Sequence, residues 1–290
     1  MKIAVTGSSG FIGRALCRTL AQSDRNVMRT SLSASAPGVE IMIHLAAKTP
    51  HSNSFSGLQA YEYDRVNARD TIKLAKDCAA RGVKRFLFIS SAKVLGAESD
   101  IAYSDSDPPF PRDAYAKSKL SAELGLRKIE AQTGMQVVIL RPPLVYGPGV
   151  RGNLLKIVRI IRCGIPLPFA GIKNRRSLIG RENLVDLIIR CIDDPGVAGK
   201  TFLVSDGQDL STPELLRIIA TEMNCRLRLF PVPDSLLRLA GYATGRGPDI
   251  ERLTGSFALD TENISKILAW SAPISIQAGI REMVQVKSAS

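Results

Sequence analysis

Tyr115 and Lys119 stand four residues apart in Tyr115-Ala116-Lys117-Ser118-Lys119, so on a helix a phenol and an amine project from one face. A phenol is a poor base at neutral pH: its pKa is ~10, and bringing it near 7 takes ~4 kcal/mol of preferential phenolate stabilisation. A neighbouring ammonium supplies part of that. Alone, this spacing is common on helix surfaces and mostly decorative. Ser90-Ser91 changes its weight, because the pair ends the apolar run Arg85-Phe86-Leu87-Phe88-Ile89. A hydroxyl at the C-terminal end of a parallel strand lies where ligands bind in open α/β sheets. Phenol, amine and hydroxyl together are the makings of acid–base chemistry.

A second constellation opens the chain. Thr6-Gly7-Ser8-Ser9-Gly10-Phe11-Ile12-Gly13 places three glycines between a β-branched run, Lys2 to Thr6, and an amphipathic stretch, Phe11 to Ala21. There the backbone must turn tightly and approach a pyrophosphate held by helix N-terminal amides. The spacing is GxxGxxG rather than GxGxxG, but strand, turn and helix are in the expected order, which favours a dinucleotide site over a turn made for folding alone. An oxidised nicotinamide seated there would add a positive charge beside the phenol.

The elements that must hold these groups follow from apolar period. Short strands are expected at Lys2 to Thr6, Asn26 to Arg29, Ile41 to Ala47, Arg85 to Ile89 and Val137 to Leu140, several of them buried on both faces. Loop-like sequence runs from Thr30 to Gly38, and a polar loop ends at Ser56. Helices are expected at Phe11 to Ala21, Ala60 to Arg81 with Gly82 as the stop, and from an Asp113 cap to Thr133. Strands alternating with helices predict an α/β, Rossmann-type doubly wound parallel sheet over residues 1–150. Beyond Gly147-Pro148-Gly149 the rhythm breaks into helices near Asn153 to Arg162, Asn183 to Ile192 and Pro213 to Glu222. Residues 151–290 therefore read as a smaller C-terminal substrate domain, with the helix near 183–194 returning to the first.

Composition bounds the alternatives. The 290 residues are 45% hydrophobic and 23% charged, which is ordinary for a globular chain. No stretch reaches the ~18 apolar residues of a membrane span, and the N-terminus lacks the flanks of a signal peptide; the expected location is the cytoplasm. The five cysteines, Cys17, Cys78, Cys163, Cys191 and Cys225, are scattered and never in CxxC spacing, and His44 and His51 are the two histidines. Reduced thiols and no metal centre are expected. The net charge of +12 favours anionic partners, but no polybasic block marks a nucleic-acid site.

Taken together, the motifs resemble those of the extended short-chain dehydrogenase/reductases, in the NAD-dependent epimerase/dehydratase family and its nucleotide-sugar 4-epimerase and 4-ketoreductase branch. The resemblance covers nearly the whole chain: the glycine turn, His44-Leu45-Ala46-Ala47, Asn67, Ser90-Ser91-Ala92-Lys93-Val94, Tyr115 with Lys119, Arg141-Pro142-Pro143 leading to Tyr146-Gly147-Pro148-Gly149, and Leu268-Ala269-Trp270 with Pro273, where Ala269 replaces a glycine. It implies that Ser91, Tyr115 and Lys119 are catalytic. Tyr115 would exchange a proton with a sugar hydroxyl, Lys119 would lower its pKa and hold the nicotinamide ribose, and Ser91 would bond the same sugar oxygen. It implies cofactor contacts at Gly7, Ser9, Gly10, Phe11, Ile12, Gly13, Leu45, Ala46, Ala47, Asn67 and Pro142. Substrate contacts are implied at Ser91, Lys93, Asn153 and Arg176, the last on the nucleotide diphosphate, against the plain alternative of a surface arginine. A homodimer through the helices at 60–81 and 113–133 is a further implication.

The chain departs from that family in two places. Where an acidic residue usually meets the adenosine ribose stand Arg29 and Thr30; a basic group suits a 2′-phosphate, so NADP is favoured over NAD. Only residues 30–40 separate Arg29 from the strand at Ile41, whereas a crossover needs ~10–12 residues by itself. The family's next helix and edge strand are therefore expected to be missing, with a more open adenine pocket and weaker cofactor affinity. The leading function is hydride transfer at C4 of a nucleotide-diphosphate sugar, a UDP-sugar, with dehydration disfavoured because Ala92-Lys93 stands where the family's dehydratases place an Asp-Glu pair. The competing class is a non-catalytic cofactor sensor or an RNA-binding relative.

Overall fold

The computed structural model describes residues 1–23, 25–30, 37–50 and 57–285. Residues 31–36 of the loop expected after Thr30, and residues 51–56 of the polar loop with His51, lie outside that description.

The first half alternates strand and helix: β1 (Lys2–Thr6), α1 (Phe11–Ala21), β2 (Asn26–Thr30) and β3 (Ile41–His44), then α2 (Gly57–Tyr63), a π-helical segment (Asp64–Arg69), α3 (Asp70–Ala80), β4 (Arg85–Ile89), α4 (Ala114–Thr133) and β5 (Gln136–Arg141). Next come β6 (Leu144–Tyr146), α5 (Asn153–Arg162), β7 (Arg176–Gly180), α6 (Arg181–Asp193), β8 (Thr201–Leu203), β9 (Asp209–Leu210), α7 (Thr212–Glu222), α8 (Asp234–Ala243), α9 (Gly247–Thr254), α10 (Glu262–Leu268) and α11 (Ile276–Gln285).

Six strands form one sheet in the order β2-β1-β3-β4-β5-β8, with every pair parallel. Parallel strands need both faces covered, and side chains alternate accordingly. Ile3 and Val5 of β1 pack with Leu16 and Leu20 of α1 and Leu184, Leu187 and Ile188 of α6. Ala4 packs on the other face with Leu74 and Cys78 of α3 and Ala122 and Leu126 of α4. The chain winds from β1 to β2 on one side and to β3 on the other, so the order of connection reverses between β1 and β3 while the strands stay parallel. A crevice opens there at the strands' C-terminal ends.

Among the described residues β2 is the sheet edge, with no strand beyond it. The strand expected from Ile41 to Ala47 ends sooner, at His44, whose partners in the ladder are Thr6 and Phe88. Leu45 to Ala47 leave the sheet as loop. The helix expected from Ala60 to Arg81 is interrupted by the π segment, a wide turn that local period does not disclose.

A smaller sheet, β6-β7-β9, pairs β6 with β7 in parallel and β7 with β9 antiparallel. Its core joins Leu154, Val158 and Ile161 of α5, Leu216 and Ile219 of α7, Leu237 of α8 and Ile276 and Ile280 of α11. Ser211 and Glu214 cap α7 reciprocally, with proline in its first turn. Trp270, just after α10, packs against the first core and donates Nε1–H to Asp186 of α6 at 2.7 Å.

Candidate active site

The chain leaves β4 at Ile89 through Ser90 and Ser91 and turns into a short 3₁₀ helix, Ala92–Val94. Ser91 caps that helix, its Oγ accepting from Lys93 N–H at 3.3 Å. Opposite, Asp113 caps α4 as expected, with Oδ1 accepting from Ala116 N–H at 2.7 Å. Ser91 stands at the end of β4 and Tyr115 in the first turn of α4, and the Ser91 hydroxyl lies near enough to the phenol to draw its pKa down. The ring of Tyr63 meets that of Tyr115 edge-on at 5.9 Å. One turn along α4, the ammonium of Lys119 donates to the Ile89 carbonyl at 2.8 Å and lies 4.5 Å from the Phe88 ring centre.

Burial dominates the electrostatics of the phenol and the amine. Burial holds the Tyr115 phenol above its ordinary value, the nearby Ser91 hydroxyl opposes this, and Asp113 and Tyr63 add to the rise. The Lys119 nitrogen is turned onto the Ile89 carbonyl and is itself desolvated. Burial brings the Lys119 amine down to about 7, with Glu123 pulling the other way. At neutral pH that amine is poised between its two protonation states, the condition for passing protons.

Glu123, one further turn along α4, was not singled out from the sequence. It is buried and held by Arg141 of β5, Nε to Oε1 at 3.1 Å and Nη2 to Oε2 at 2.6 Å, and it also accepts from Ser90. Tyr115, Lys119 and Glu123 thus form one row at four-residue spacing, facing the ends of β4 and β5. The spacing was visible; that an acidic helix residue would be buried was not, since most such residues are solvated. His44 is likewise interior, bonded through Nδ1 to Thr6 at 2.7 Å and through Nε2 to Thr71 at 2.9 Å. Burial, with a smaller push from Lys119, brings it down to about 3, so it stays neutral.

The glycine turn fits a dinucleotide. Gly7 has φ +68°, and a Cβ there would come within 2.6 Å of Ala46 N. A Cβ on Gly13 would meet the Gly7 carbonyl oxygen at 2.1 Å. Turn, helix and the Leu45-Ala46-Ala47 loop therefore close together in a way only glycines permit. Helix α1 has no side-chain cap and no acidic residue in its first turn, leaving the amides of Phe11, Ile12 and Gly13 for an anion. Ser9 and Gly10 are exposed beside them, and the Arg181 guanidinium lies 5.3 Å from the Phe11 ring centre.

The other expected site residues take varied positions. Asn67, in the π segment, is fully buried: it accepts from Lys48 N–H at 2.8 Å and donates to the Lys48 carbonyl at 3.0 Å and to Ser118 at 3.1 Å. It fixes the loop after β3 to α4, so its action on a cofactor runs through that loop. Pro142 is buried, and its carbonyl accepts from Ala92 N–H at 2.9 Å. Lys93 pairs with Asp113 at 3.4 Å, beside Tyr115. Arg29 is exposed on the edge strand, and its charge draws the Cys17 thiol of α1 down against the larger rise that burial causes. Arg176 donates to the Gly255 carbonyl at 2.7 Å; burial brings it down to about 10 against the pull of Glu98, with Arg252 adding to the fall. Asn153 donates to Asp249 at 3.1 Å. Arg176 and Asn153 are each bonded within residues 151–290.

Comparison with known proteins places this geometry. The family described as "NAD dependent epimerase/dehydratase family" matches residues 29–205. A UDP-glucose 4-epimerase of Vibrio cholerae is 35% identical over 309 residues, covering 98% of this chain and 94% of that protein. The chain therefore belongs to the NAD-dependent epimerase/dehydratase family. Its fold is that of the UDP-glucuronic acid 4-epimerase of Bacillus cereus, solved in complex with NAD, with a TM-score of 0.79 at 18% identity over 99% of this chain and 98% of the other. It is equally that of RMD from Pseudomonas aeruginosa, complexed with NADPH, with a TM-score of 0.78 at 21% identity and 98% of each chain covered.

Proposed function

We propose that the protein moves a hydride and a proton at C4 of a nucleotide-diphosphate sugar, a UDP-sugar, with a nicotinamide dinucleotide as cofactor. The observation that carries this reading is the nearness of the Ser91 hydroxyl to the buried Tyr115 phenol, with the Lys119 amine one turn along α4, at the end of the sheet where the glycine turn opens. Gly7, Ser9, Gly10, Phe11, Ile12 and Gly13 would hold the pyrophosphate, with Leu45, Ala46, Ala47 and Pro142 along the dinucleotide and Lys119 on the ribose. When bound, the nicotinamide accepts or returns the hydride and is positively charged in its oxidised form.

The chain's own groups manage the proton. Tyr115 Oη takes it from, or gives it to, the C4 hydroxyl, and Ser91 holds the same oxygen in line. The poised Lys119 amine and a cationic ring favour the phenolate that burial otherwise disfavours. Residues 151–290 would supply most of the sugar-nucleotide site, with Arg176 offering a fork of donors to phosphate oxygens, Asn153 nearby, and Lys93 at the mouth on the first domain's side.

Arg29 at the exposed end of β2 favours NADP, and with it a 4-ketoreductase over a 4-epimerase. Calorimetric titration tests this: tighter binding of NADP than of NAD supports it, and tight NAD binding with NADP much weaker refutes it. A non-catalytic sensor or RNA-binding protein is the rival class, favoured only by the shortened sheet edge and the net charge of +12. Salt-dependent RNA binding with no oxidation of NADPH would support it. The enzyme would work in the cytoplasm. Exposed Leu58 and Tyr61 on α2 and Leu124 on α4 support a homodimer through these helices, which light scattering tests.

A further inference from the structure

Helix α8 turns the wrong face outward. Of its ten residues, Leu237 and Gly241 are buried, Gly241 against Ile250 of α9. Leu236, Leu239 and Tyr242 stand 54%, 64% and 65% exposed, and Ala240 and Ala243 are exposed beside them. After the first turn the solvent side of the helix is thus wholly apolar, the reverse of a surface helix's usual pattern. Its polar groups lie at the margins: Arg238 is paired with Asp234 at 2.9 Å and with Glu98 at 3.3 Å, and the Tyr242 hydroxyl donates to Glu251 at 2.8 Å. The chain entering the helix exposes Arg226, Arg228 and Phe230, and the turn leaving it exposes Arg246.

We propose that this face docks on an anionic phospholipid bilayer, with α8 lying in the interface, its leucines in the acyl boundary, Tyr242 at headgroup level and the arginines on lipid phosphates. Charge and size select this occupant over a second copy of the chain. Each copy carries a net charge of +12, and pairing two α8 faces would bring their flanking arginines together. A ten-residue helix is only ~15 Å long, and its face falls well short of the ~800 Å² per partner that a stable dimer buries. A bilayer demands no such complementary area. Through Arg238 and Glu98, α8 also adjoins the Arg176 group, so docking would set that group beside the membrane. The inference does not depend on the catalytic reading above.

The test is flotation of the full chain with vesicles of phosphatidylcholine alone or mixed with phosphatidylglycerol. The protein is expected to float with the anionic vesicles only, and salt is expected to release it. Leu236→Glu with Leu239→Glu should lower the partition coefficient by more than tenfold, roughly the effect of one exposed leucine side chain losing its apolar burial, with the thermal melt unchanged because both positions are exposed. Arg226→Gln with Arg228→Gln should weaken both binding and its salt dependence. Leu239→Trp gives a readout independent of the glutamates, a blue shift of its emission on addition of anionic vesicles. Failure of the folded protein to float at low salt would overturn the proposal, as would flotation indifferent to the leucine changes. So would a solution dimer that the leucine changes convert to monomer, since the face would then belong to a second copy.

Discussion

Lys119 reaches from α4 to the end of β4, its nitrogen 2.8 Å from the Ile89 carbonyl oxygen, and this bond fixes the helix turn that presents Tyr115 to Ser91. The position has a measurable cost. Burial brings the amine down to about 7 from 10.5, so between those values the unfolded chain holds a proton that the native state lacks. Stability from this group therefore rises with pH. Between pH 7 and pH 9 the wild type should gain up to ~1.4 kcal/mol per pH unit from one proton relative to Lys119→Met. Above pH 9 the buried thiols of Cys78 and Cys191, pushed up to about 12 from 9.0, act in the opposite sense because the unfolded thiols ionise first. Urea unfolding of both proteins across this range checks the slope.

Glu123 is buried with Arg141 and cannot lose its charge without leaving the guanidinium unpaired. Glu123→Gln should cost ~3–5 kcal/mol, while Glu123→Leu with Arg141→Met should cost less than either change alone. Denaturation midpoints of Glu123→Gln, Glu123→Leu, Arg141→Met and the Glu123→Leu/Arg141→Met double decide this. Glu123→Gln also removes the charge that holds Lys119 up, so any pH–activity profile governed by Lys119 should move to lower pH.

Ala269 ends α10 in the left-handed region, at φ 46° and ψ 40°. A side chain there costs ~1–2 kcal/mol, against the ~0.4–1 kcal/mol that alanine returns by restricting the unfolded chain. Ala269→Gly should therefore stabilise the protein by about 0.5–1 kcal/mol, seen as a higher melting temperature.

At the glycine turn the opposite change is damaging. Gly7→Ala adds a strained backbone, ~1–3 kcal/mol, and a Cβ 2.6 Å from Ala46 N. Lower thermal stability together with weakened nicotinamide binding in calorimetry is the expected result. Unchanged binding would mean that the turn does not shape the cofactor site.

How far the sequence could be read depends on whether a feature is local. Asp113 as the α4 cap, the β1 to α1 turn and the short β2 to β3 connection are settled by neighbouring residues, and each was legible. The π segment at Asp64–Arg69 depends on packing against α4 and left no periodic sign. Ser91 and Tyr115 could be paired in advance, but the orientation of Lys119 could not, because the Ile89 carbonyl and the Phe88 ring reach it through the sheet. Tyr63, whose ring abuts Tyr115, belongs to α2 and has no motif of its own. Arg141 was legible as part of a family motif, and its charge partner only from the fold.

The most direct measurement of the central claim is the loss of reduced-nicotinamide absorbance when NADPH and a UDP-4-keto sugar are mixed with the wild type and with Tyr115→Phe. Wild-type turnover that falls ~10²–10⁴-fold in the variant, with its melting temperature and NADPH binding retained, is the predicted result. Equal rates in the two proteins, or no oxidation by a wild type that binds both ligands, would contradict it.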